Sequence, residues 1–252
     1  MARPRKKRVT RRRLTRKRQK GGSEKCTVVI IEPRKVKQKA VEFVVRNALL
    51  LPPEWSILFF HGTGNRDLVE KFIGTLSVEE KARISLKPLG VSNLTEKEYN
   101  HLMMSRTILD QIPTEVFLVM QVDSMICREG LGLLPEFLKY DYVGAPWKGH
   151  NIVGNGGFSL RRKAKMLEVL EKCPELIAIN NEDGFFSAGC AAAKVYTPSA
   201  EEAEKFAVET TYTGKQPFGI HKAWAHVVDG HEKLEGQCSQ YKKLKEINMG
   251  QG

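Results

Sequence analysis

Four segments, each long enough for one strand, alternate with amphipathic segments over the first half of the chain. They are 27–31 (TVVII), 55–61 (WSILFFH), 83–89 (RISLKPL) and 115–122 (EVFLVMQV). In the first, second and fourth of them, apolar residues follow one another almost without polar alternation, which is typical of strands buried on both faces of a sheet. Between them, apolar residues recur at helical spacing in 36–51, 66–76 and 95–112. The β-α-β-α-β-α-β order predicts an α/β fold with a mixed, mostly parallel sheet flanked by helices.

The formal net charge of +12 is concentrated at the amino terminus. Twelve of the 41 Lys and Arg residues lie in residues 1–20, which contain no acidic residue, and the remaining 29 equal the 29 acidic residues. Because like charges repel and few apolar side chains are present, residues 1–25 are predicted to be a disordered basic tail. A single domain is predicted at 26–230 and a polar C-terminal tail at 231–252. Residues 3–20 would bind nucleic acid or an anionic surface nonspecifically, or act as a nuclear address.

Several protein classes are excluded by the distribution of apolar residues and cysteines. The longest apolar runs have the length of one strand, so no transmembrane segment is predicted. No apolar segment follows the N-terminal charges, so no secretory signal is predicted. The five cysteines are scattered and show no C-x-x-C, which argues against a disulfide framework or a structural zinc site and favours a reducing compartment. We therefore expect a non-secreted, intracellular protein, cytoplasmic or nuclear.

Five short motifs follow one another after the fourth apolar segment. They are Q-V-D-S at 121–124, Y-D-Y-V-G-A-P-W at 140–147, G-N-G-G-F-S-L-R at 154–161, E-D at 182–183 and G-I-H-K-A-W at 219–224. In combination they resemble a little-characterised family of GT-A type glycosyltransferases found in microbes and large viruses. The resemblance spans about residues 26–224. It implies a GT-A-like (Rossmann-like) fold and transfer of a sugar from a nucleotide-sugar donor, with UDP-sugars the leading expectation, to a hydroxyl of an unidentified acceptor.

Asp123 is the first candidate metal ligand, because its carboxylate follows a strand directly. GT-A enzymes usually carry D-x-D at this point, whereas this chain reads Asp123-Ser124-Met125 and has one carboxylate. The resemblance implies His221 as the second ligand and Mn²⁺ or Mg²⁺ as the cofactor; oxygen ligands suit both ions, and imidazole suits Mn²⁺ better. The alternative interpretations are a strand-terminal Asp that caps a turn and a histidine packed in a loop.

Asp183 and Glu182 are the candidate catalytic residues. The resemblance implies that Asp183, or less favourably Glu182, is the general base that takes the proton from the acceptor hydroxyl in an inverting reaction. The alternative is that both acids stabilise the first turn of a helix.

The resemblance also assigns residues to the sugar donor. These candidates are Glu32, Arg34, Asn65, Gln121, Asp123, Ser124, Asn155, Gly156 and Gly157. The glycines would let the backbone approach a sugar ring where a Cβ atom would collide, or would serve only a tight turn. Trp147 and Trp224 are candidate stacking platforms for the acceptor or the base, although tryptophan is more often a core residue.

Two other functions are compatible with the sequence. The first is a GT-A-like binding module without turnover, tethered to nucleic acid by its basic tail, and the lone carboxylate of Asp123-Ser124-Met125 motivates it. The second is a nucleotidyltransferase. That class carries a Gly-rich, Lys-bearing loop near the first strand, where this chain has Glu32-Pro33-Arg34.

Overall fold

The computed structural model describes residues 25–149, 152–178 and 181–250. The strands are β1 Cys26–Glu32, β2 Trp55–His61, β3 Ile84–Pro88, β4 Val116–Met120, β5 Ser124–Ile126, β6 Tyr142–Val143, β7 Phe158–Arg162, β8 Ala207–Val208 and β9 Gly219–His221. The helices are α1 Gln38–Ala48, α2 Arg66–Gly74, α3 Val78–Ala82, α4 Glu96–Met103, α5 Arg106–Leu109, α6 Leu134–Phe137, α7 Lys163–Lys172, α8 Glu182–Gly184, α9 Ala200–Phe206, α10 His231–Gln237 and α11 Tyr241–Met249. None of these helices is long and apolar enough to cross a bilayer. Residues 1–24 of the predicted basic tail lie outside the described residues.

The main sheet has six strands in the order β3-β2-β1-β4-β7-β6. The first four strands run parallel to one another, while β7 is antiparallel to both β4 and β6. The prediction of an α/β fold with a mixed, mostly parallel sheet is therefore confirmed.

Alternate residues of β1 point into two different cores. Val28 and Ile30 pack in a core that includes α1 and α2, whereas Val29 and Ile31 pack with α4, α5 and α7. All four side chains are buried. A strand covered by helices on both faces needs apolar residues at every position, which explains the continuous apolar run of the sequence.

A second sheet has three strands in the order β5-β9-β8, and its strand β5 comes directly after β4 in the chain. β5 and β9 are antiparallel, with Ser124 opposite His221, and β8 and β9 are parallel, with Val208 opposite Ile220. Asn47 of α1 fixes β5, because its Nδ2 donates to the carbonyl of Ile126 at 3.1 Å and its Oδ1 accepts from the Ile126 amide at 2.5 Å. This small sheet gathers residues from distant parts of the chain beside the end of β4.

Residues 231–249 contain the helices α10 and α11, which pack on the folded body. Leu234, Tyr241 and Leu244 are fully buried in a core shared with Phe43 of α1 and Met125 of β5. The prediction of a polar C-terminal tail is wrong over these residues. A few apolar side chains at helical spacing are enough to dock two short helices, even though most of the segment is polar.

Four cysteines form the disulfides Cys127–Cys238 and Cys173–Cys190. The prediction that the scattered cysteines argue against disulfides is wrong. The partners are 111 and 17 positions apart in sequence, but their Cα atoms are 4.9 and 5.9 Å apart, within the range that disulfides span. Pairing follows proximity in the fold and needs no regular spacing. Because disulfides are typical of oxidising compartments, the cysteines no longer support the expectation of a reducing one.

One prediction of secondary structure is corrected in detail. The helix expected over 95–112 is divided into α4 and α5, and Ser105 between them donates from its hydroxyl to the carbonyl of Leu102. The segment 194–196 runs beside Asp141 in an irregular conformation. Lys194 has a left-handed φ of 48°, although Tyr196 still exchanges backbone and side-chain hydrogen bonds with Asp141.

The two disulfides should differ in their contribution to stability. In the chain-entropy model, the 111-residue separation of Cys127–Cys238 is worth about 5 kcal/mol and the 17-residue separation of Cys173–Cys190 about 3 kcal/mol. We expect C127S/C238S to lower the free energy of unfolding in urea more than C173S/C190S does. The variant lacking all four cysteines is the control, and a reductant should leave its stability unchanged. Equal losses in the two double variants would contradict the expectation.

Candidate active site

Asp123 lies just beyond the carboxyl end of β4, at the edge of the sheet where the strand order predicts a ligand site. A tight turn positions it, since the Ser124 amide donates to the Gln121 carbonyl at 3.0 Å and the Gln121 amide donates to the Gly157 carbonyl at 2.9 Å. The buried Ser124 hydroxyl also donates to the Gln121 carbonyl, at 2.7 Å. Ser124 is therefore used within the turn rather than being available as a ligand.

His221 of β9 is brought beside Asp123 by the pairing of β9 with β5. Its Nε2 lies 3.4 Å from Asp123 Oδ1, and the Lys222 amide donates to the Asp123 carbonyl at 3.0 Å. Both facing side-chain atoms are inaccessible to solvent, and neither makes a hydrogen bond of good geometry. The two residues predicted as metal ligands therefore meet in the structure, although they are far apart in sequence.

Glu209 is a third member of this cluster that the sequence analysis missed. The register of β8 against β9 places Val208 opposite Ile220, so the next residue, Glu209, reaches His221. Its Oε1 accepts a hydrogen bond from His221 Nδ1 at 2.9 Å. The only signal in the sequence is an acid directly after a short apolar pair, and a strand of two residues is too short for periodicity to reveal.

The two carboxylates change the protonation of His221. Burial lowers the pKa of His221, but its contacts and charge interactions with Asp123 and Glu209 outweigh burial and raise the pKa to about 9. Burial likewise would raise the pKa of Asp123, yet the interaction with His221 holds it below its usual value. A proton on His221 thus balances part of the negative charge of the two acids.

A divalent cation fits the chemistry of Asp123 Oδ1 and His221 Nε2. Adjacent ligands of one octahedral ion lie about 3 Å apart, close to the 3.4 Å observed between these two atoms. At 3.4 Å these two buried atoms form an ion pair but no hydrogen bond of good geometry, which leaves bonding capacity for a bound group. Within the described residues no three His, Cys, Asp or Glu side chains are grouped to hold a metal ion.

Asn155 organises the glycine-rich loop from within. It is buried in a left-handed conformation with a φ of 68°, and its Oδ1 accepts from the amides of Gly157 and Phe158 at 2.9 and 3.3 Å. Its Nδ2 is buried and has no hydrogen-bond partner. Asparagine tolerates this backbone conformation because its short polar side chain can bond locally.

Gly156 and Gly157 make room for protein side chains. A Cβ atom on Gly156 would overlap the carboxylate of Glu182, and one on Gly157 would overlap the imidazole of His221. The missing Cβ atoms are therefore needed for packing within the protein, and contact of this loop with a sugar stays a prediction. Their absent Cβ atoms allow the two functional loops to meet.

Glu182 is an internal ion-pair partner and not a free carboxylate. It is 2% exposed and accepts from Arg161 Nη1 at 2.6 Å and Nη2 at 3.0 Å. Arg161 also donates from Nε to the Ser159 hydroxyl at 2.9 Å, and its guanidinium lies over the rings of Tyr142 and Phe186. The prediction of Glu182 as an alternative base is corrected, because both of its oxygens are used in the pair.

Asp183, the other acid of the motif, is half-buried at the start of α8. Its Oδ1 accepts from the Gly184 amide at 2.8 Å, and the preceding Glu182 amide donates to Asn100 Oδ1 at 3.2 Å. Trp147 packs close to Gly184. The buried Arg161–Glu182 pair and the hydrogen bond from the Gly184 amide hold Asp183 in a defined position. Among the described contacts, its second carboxylate oxygen accepts no hydrogen bond.

Three residues predicted to bind the sugar donor lie at or after the ends of β1 and β2. Two of them are buried in the loop structure, and one is exposed. Glu32 is buried and accepts from Arg34 Nε at 2.9 Å and Nη2 at 2.6 Å. Asn65 is also buried: its Nδ2 donates to the carbonyls of Glu32 and Arg34, and its Oδ1 accepts from the Gly62 amide. Glu32 and Asn65 therefore shape the loop. The Arg34 side chain is 57% exposed and close enough to Asp123 to interact with its charge.

The two tryptophans occupy different places. Trp147 lies over Gly154, where a Cβ atom would overlap its ring, and so sits beside the glycine-rich loop and Gly184. Trp224 is half-buried against the core that contains Ile220 and Leu234. The structure thus brings Trp147 to the candidate site and gives Trp224 a packing role.

Tyr99 of α4 is a further residue that the sequence analysis missed. Its hydroxyl is buried without a hydrogen-bond partner of good geometry, beside Gln121 and within electrostatic range of Glu182 and Asp123. Burial, and next the charge of Glu182, raise the pKa of this hydroxyl. Together with Asn155 Nδ2, it adds to the unpaired polar atoms of the site. In the sequence Tyr99 cannot be told from an ordinary aromatic residue on the buried face of a helix.

A family model matches residues 84–221, more than half of the chain. The chain belongs to the DUF5672 family. That family is described as a protein of unknown function. The DUF5672 segment runs from β3 to β9 and contains Asp123, Asp183, Glu209 and His221. No curated protein sequence matches the chain significantly.

Solved glycosyltransferase structures share the fold of this DUF5672 protein. The galactosyltransferase LgtC, solved with donor and acceptor sugar analogues, has a TM-score of 0.56 at 9% identity, covering 89% of this chain and 95% of that one. GlyE from Streptococcus pneumoniae TIGR4 has a TM-score of 0.53 at 10% identity over 89% of this chain and 63% of its own. The mannosyltransferase PcManGT from Pyrobaculum calidifontis, solved with GDP-Man and Mn²⁺, has a TM-score of 0.50 at 13% identity over 69% of this chain. This chain spans about half of the mannosyltransferase, at 54%. At these identities the likeness shows a GT-A-like fold.

Removing the carboxylate of Glu182 should destabilise the fold strongly. Glu182→Gln leaves the buried Arg161 guanidinium without its counter-charge, and we expect a loss of about 3–5 kcal/mol in the free energy of unfolding in urea. Glu70→Gln is the control, because Arg66 and Glu70 also form a close pair, with Nε and Oε1 2.8 Å apart, but both side chains are exposed. That change should have little effect on the free energy of unfolding, because solvent screens the exposed pair. Equal effects of the two substitutions would show that the buried pair does not hold the site together.

Proposed function

We propose that this protein is a glycosyltransferase that moves a sugar from a nucleotide-sugar donor to an acceptor hydroxyl with the help of a divalent cation. The observation that carries the proposal is the buried pair of Asp123 Oδ1 and His221 Nε2, whose facing atoms lie 3.4 Å apart as an ion pair and make no hydrogen bond of good geometry. The pair lies at the carboxyl ends of parallel strands, where α/β folds bind nucleotides. The unpaired Tyr99 hydroxyl and Asn155 Nδ2 add polar groups that a ligand would satisfy.

Asp123 and His221 would hold the cation, with Mn²⁺ favoured over Mg²⁺ because one ligand is an imidazole. When bound, a divalent cation neutralises charge that develops on a departing diphosphate. Arg34, which is exposed and within electrostatic range of Asp123, would contribute a second positive charge to the phosphates. Two hydrogen bonds from Arg34 to Glu32 orient the Arg34 guanidinium.

Asp183 would act as the general base toward the acceptor. The Arg161–Glu182 pair fixes Glu182, the residue that precedes Asp183, so the Asp183 carboxylate is held in place at the edge of the buried core. It would take the proton of the acceptor hydroxyl as that oxygen attacks the anomeric carbon, which gives inversion at that carbon. Trp147 packs against Gly154 and Gly184, and in this proposal its ring would contact a sugar beside the Asp183 carboxylate.

Relatives in fold support the choice of ligands. PcManGT was solved with GDP-Man and Mn²⁺, and LgtC with donor and acceptor sugar analogues. UDP-sugars are the first donors to test, as the motif resemblance implies, followed by GDP- and CMP-sugars. Binding of nucleic acid or an anionic surface by residues 3–20 stays a prediction, because those residues lie outside the described ranges.

Asp123→Asn should abolish most of the activity. With Mn²⁺, wild-type protein is expected to hydrolyse or transfer sugar from a member of the donor panel, and the variant should lose about 100-fold or more in kcat/KM because a charged group at the reacting diphosphate is removed. Asp67→Asn, at an exposed position in the first turn of α2, is the control and should retain wild-type activity. Absence of donor binding by calorimetry, with and without Mn²⁺, would refute the proposed function.

Asp183→Asn should lower turnover by about 100- to 10,000-fold with little effect on donor affinity, because a general base acts on the acceptor proton. Asp229→Asn, an exposed site, serves as the control. The anomeric configuration of the first product, read by NMR, should be opposite to that of the donor. Full turnover in the variant would remove Asp183 from this role, and retention of configuration would remove the inverting mechanism.

The second candidate function is a binding module without turnover. It is favoured by the single carboxylate in Asp123-Ser124-Met125 and by the two-residue ligand set of the described chain. Donor binding with normal affinity, but with no hydrolysis or transfer for any acceptor class, would support it over the enzyme.

A further inference from the structure

We propose that Glu209 positions His221 for cation binding and supplies, through the imidazole, the second acid that the Asp123-Ser124-Met125 sequence lacks. The inference rests on the proposed cation site. It adds a residue that lies outside every motif used to recognise that site.

The two nitrogens of His221 have different environments. Nδ1 is 2.9 Å from Glu209 Oε1, while Nε2 faces Asp123 Oδ1 at 3.4 Å. In a neutral imidazole the nitrogen bonded to a carboxylate keeps the proton, and the other carries the lone pair. Glu209 therefore selects the tautomer in which the lone pair of Nε2 points toward Asp123.

Glu209 is placed to act through His221 and not as a ligand of the same ion. Its carboxylate contacts the Nδ1 edge of the ring, away from the edge that faces Asp123. No group of three potential ligands exists among the described residues. Carboxylate–histidine–metal arrangements of this kind orient the ring and raise the basicity of the ligand.

Contacts within the protein hold the backbone on both sides of Glu209. On one side, Val208 of β8 is paired with Ile220 of β9. On the other, the Thr210 hydroxyl donates to the Pro146 carbonyl and accepts from the Lys148 amide, both at 3.2 Å. The Glu209 side chain is 13% exposed. Little conformational entropy is therefore lost when the carboxylate holds the ring, which favours a positioning role.

A simpler role for Glu209 would be to stabilise a charged His221 in the fold. The two roles differ in what a substitution changes. A stabilising partner affects the free energy of unfolding, whereas a positioning residue affects the affinity of the cation in the folded protein. Loss of such an outer carboxylate typically weakens metal binding by about 10- to 100-fold.

The test measures Mn²⁺ binding to the full chain by electron paramagnetic resonance, without donor and without turnover. We expect Glu209→Ala to raise the Kd for Mn²⁺ by about 10- to 100-fold. Glu209→Gln keeps a hydrogen-bond acceptor but loses the charge, and it should fall between wild type and Glu209→Ala. Glu201→Ala, an exposed acid on α9, is the control and should bind as wild type does. Circular dichroism and thermal unfolding confirm that each variant is folded.

The outcomes separate this inference from the function on which it rests. Wild-type protein that binds no Mn²⁺ would refute both the cation site and the role of Glu209. Wild-type binding with unchanged affinity in both Glu209 variants would refute the role of Glu209 alone and leave the cation site intact. If Glu209→Ala does not fold, Glu209→Gln decides: a weakened affinity supports the inference and an unchanged one overturns it.

Discussion

The buried ion pair between Arg161 and Glu182 is the interaction around which the candidate site is built. It joins β7 to the start of α8, and through Glu182 it fills the space that Gly156 leaves open. A buried ion pair is not an efficient source of stability, because desolvation consumes much of the Coulomb attraction and apolar residues of equal volume often do as well. Its directional bonds instead fix two loops in one relative position. We infer that this pair mainly fixes the position of Asp183, the residue after Glu182, and adds little to stability.

A second cluster of charged groups, formed by Asp123, Glu209 and His221, carries more negative than positive charge. Asp123 and Glu209 flank His221, and with the imidazole neutral they leave two negative charges in a nearly closed space. Buried charge of one sign is costly unless it is paired. A proton on His221 removes half of this charge, and a divalent cation would remove all of it. The same arrangement therefore raises the pKa of His221 and favours a dication, which links the protonation of the free protein to the proposed chemistry.

The parts of the fold that could be predicted from sequence are those with a strong local signal. β1, β2 and β4 are continuous apolar runs, and their order with the helices is enough to predict a parallel sheet and to place Asp123 at its edge. What could not be predicted depends on contacts between distant segments. Glu209 follows a two-residue strand, Cys127 and Cys238 are 111 positions apart, and α11 docks with few buried side chains. Each of these features has little or no periodicity, and each is determined by what the rest of the fold places next to it.

The glycine-rich loop shows that a motif can have a structural reason that the sequence does not reveal. Small residues beside a nucleotide site suggest that the ligand needs the space, and the sequence alone offers no other reason. In the structure the space next to Gly157 belongs to His221. A side chain at this position would displace the imidazole and, with it, the nitrogen that faces Asp123. A substitution of Gly157 would therefore disturb the position of the His221 imidazole, whatever else the loop contacts. In the proposed cation site, Gly157 and Glu209 would both act through His221, the glycine by leaving space for the ring and the acid by bonding to it.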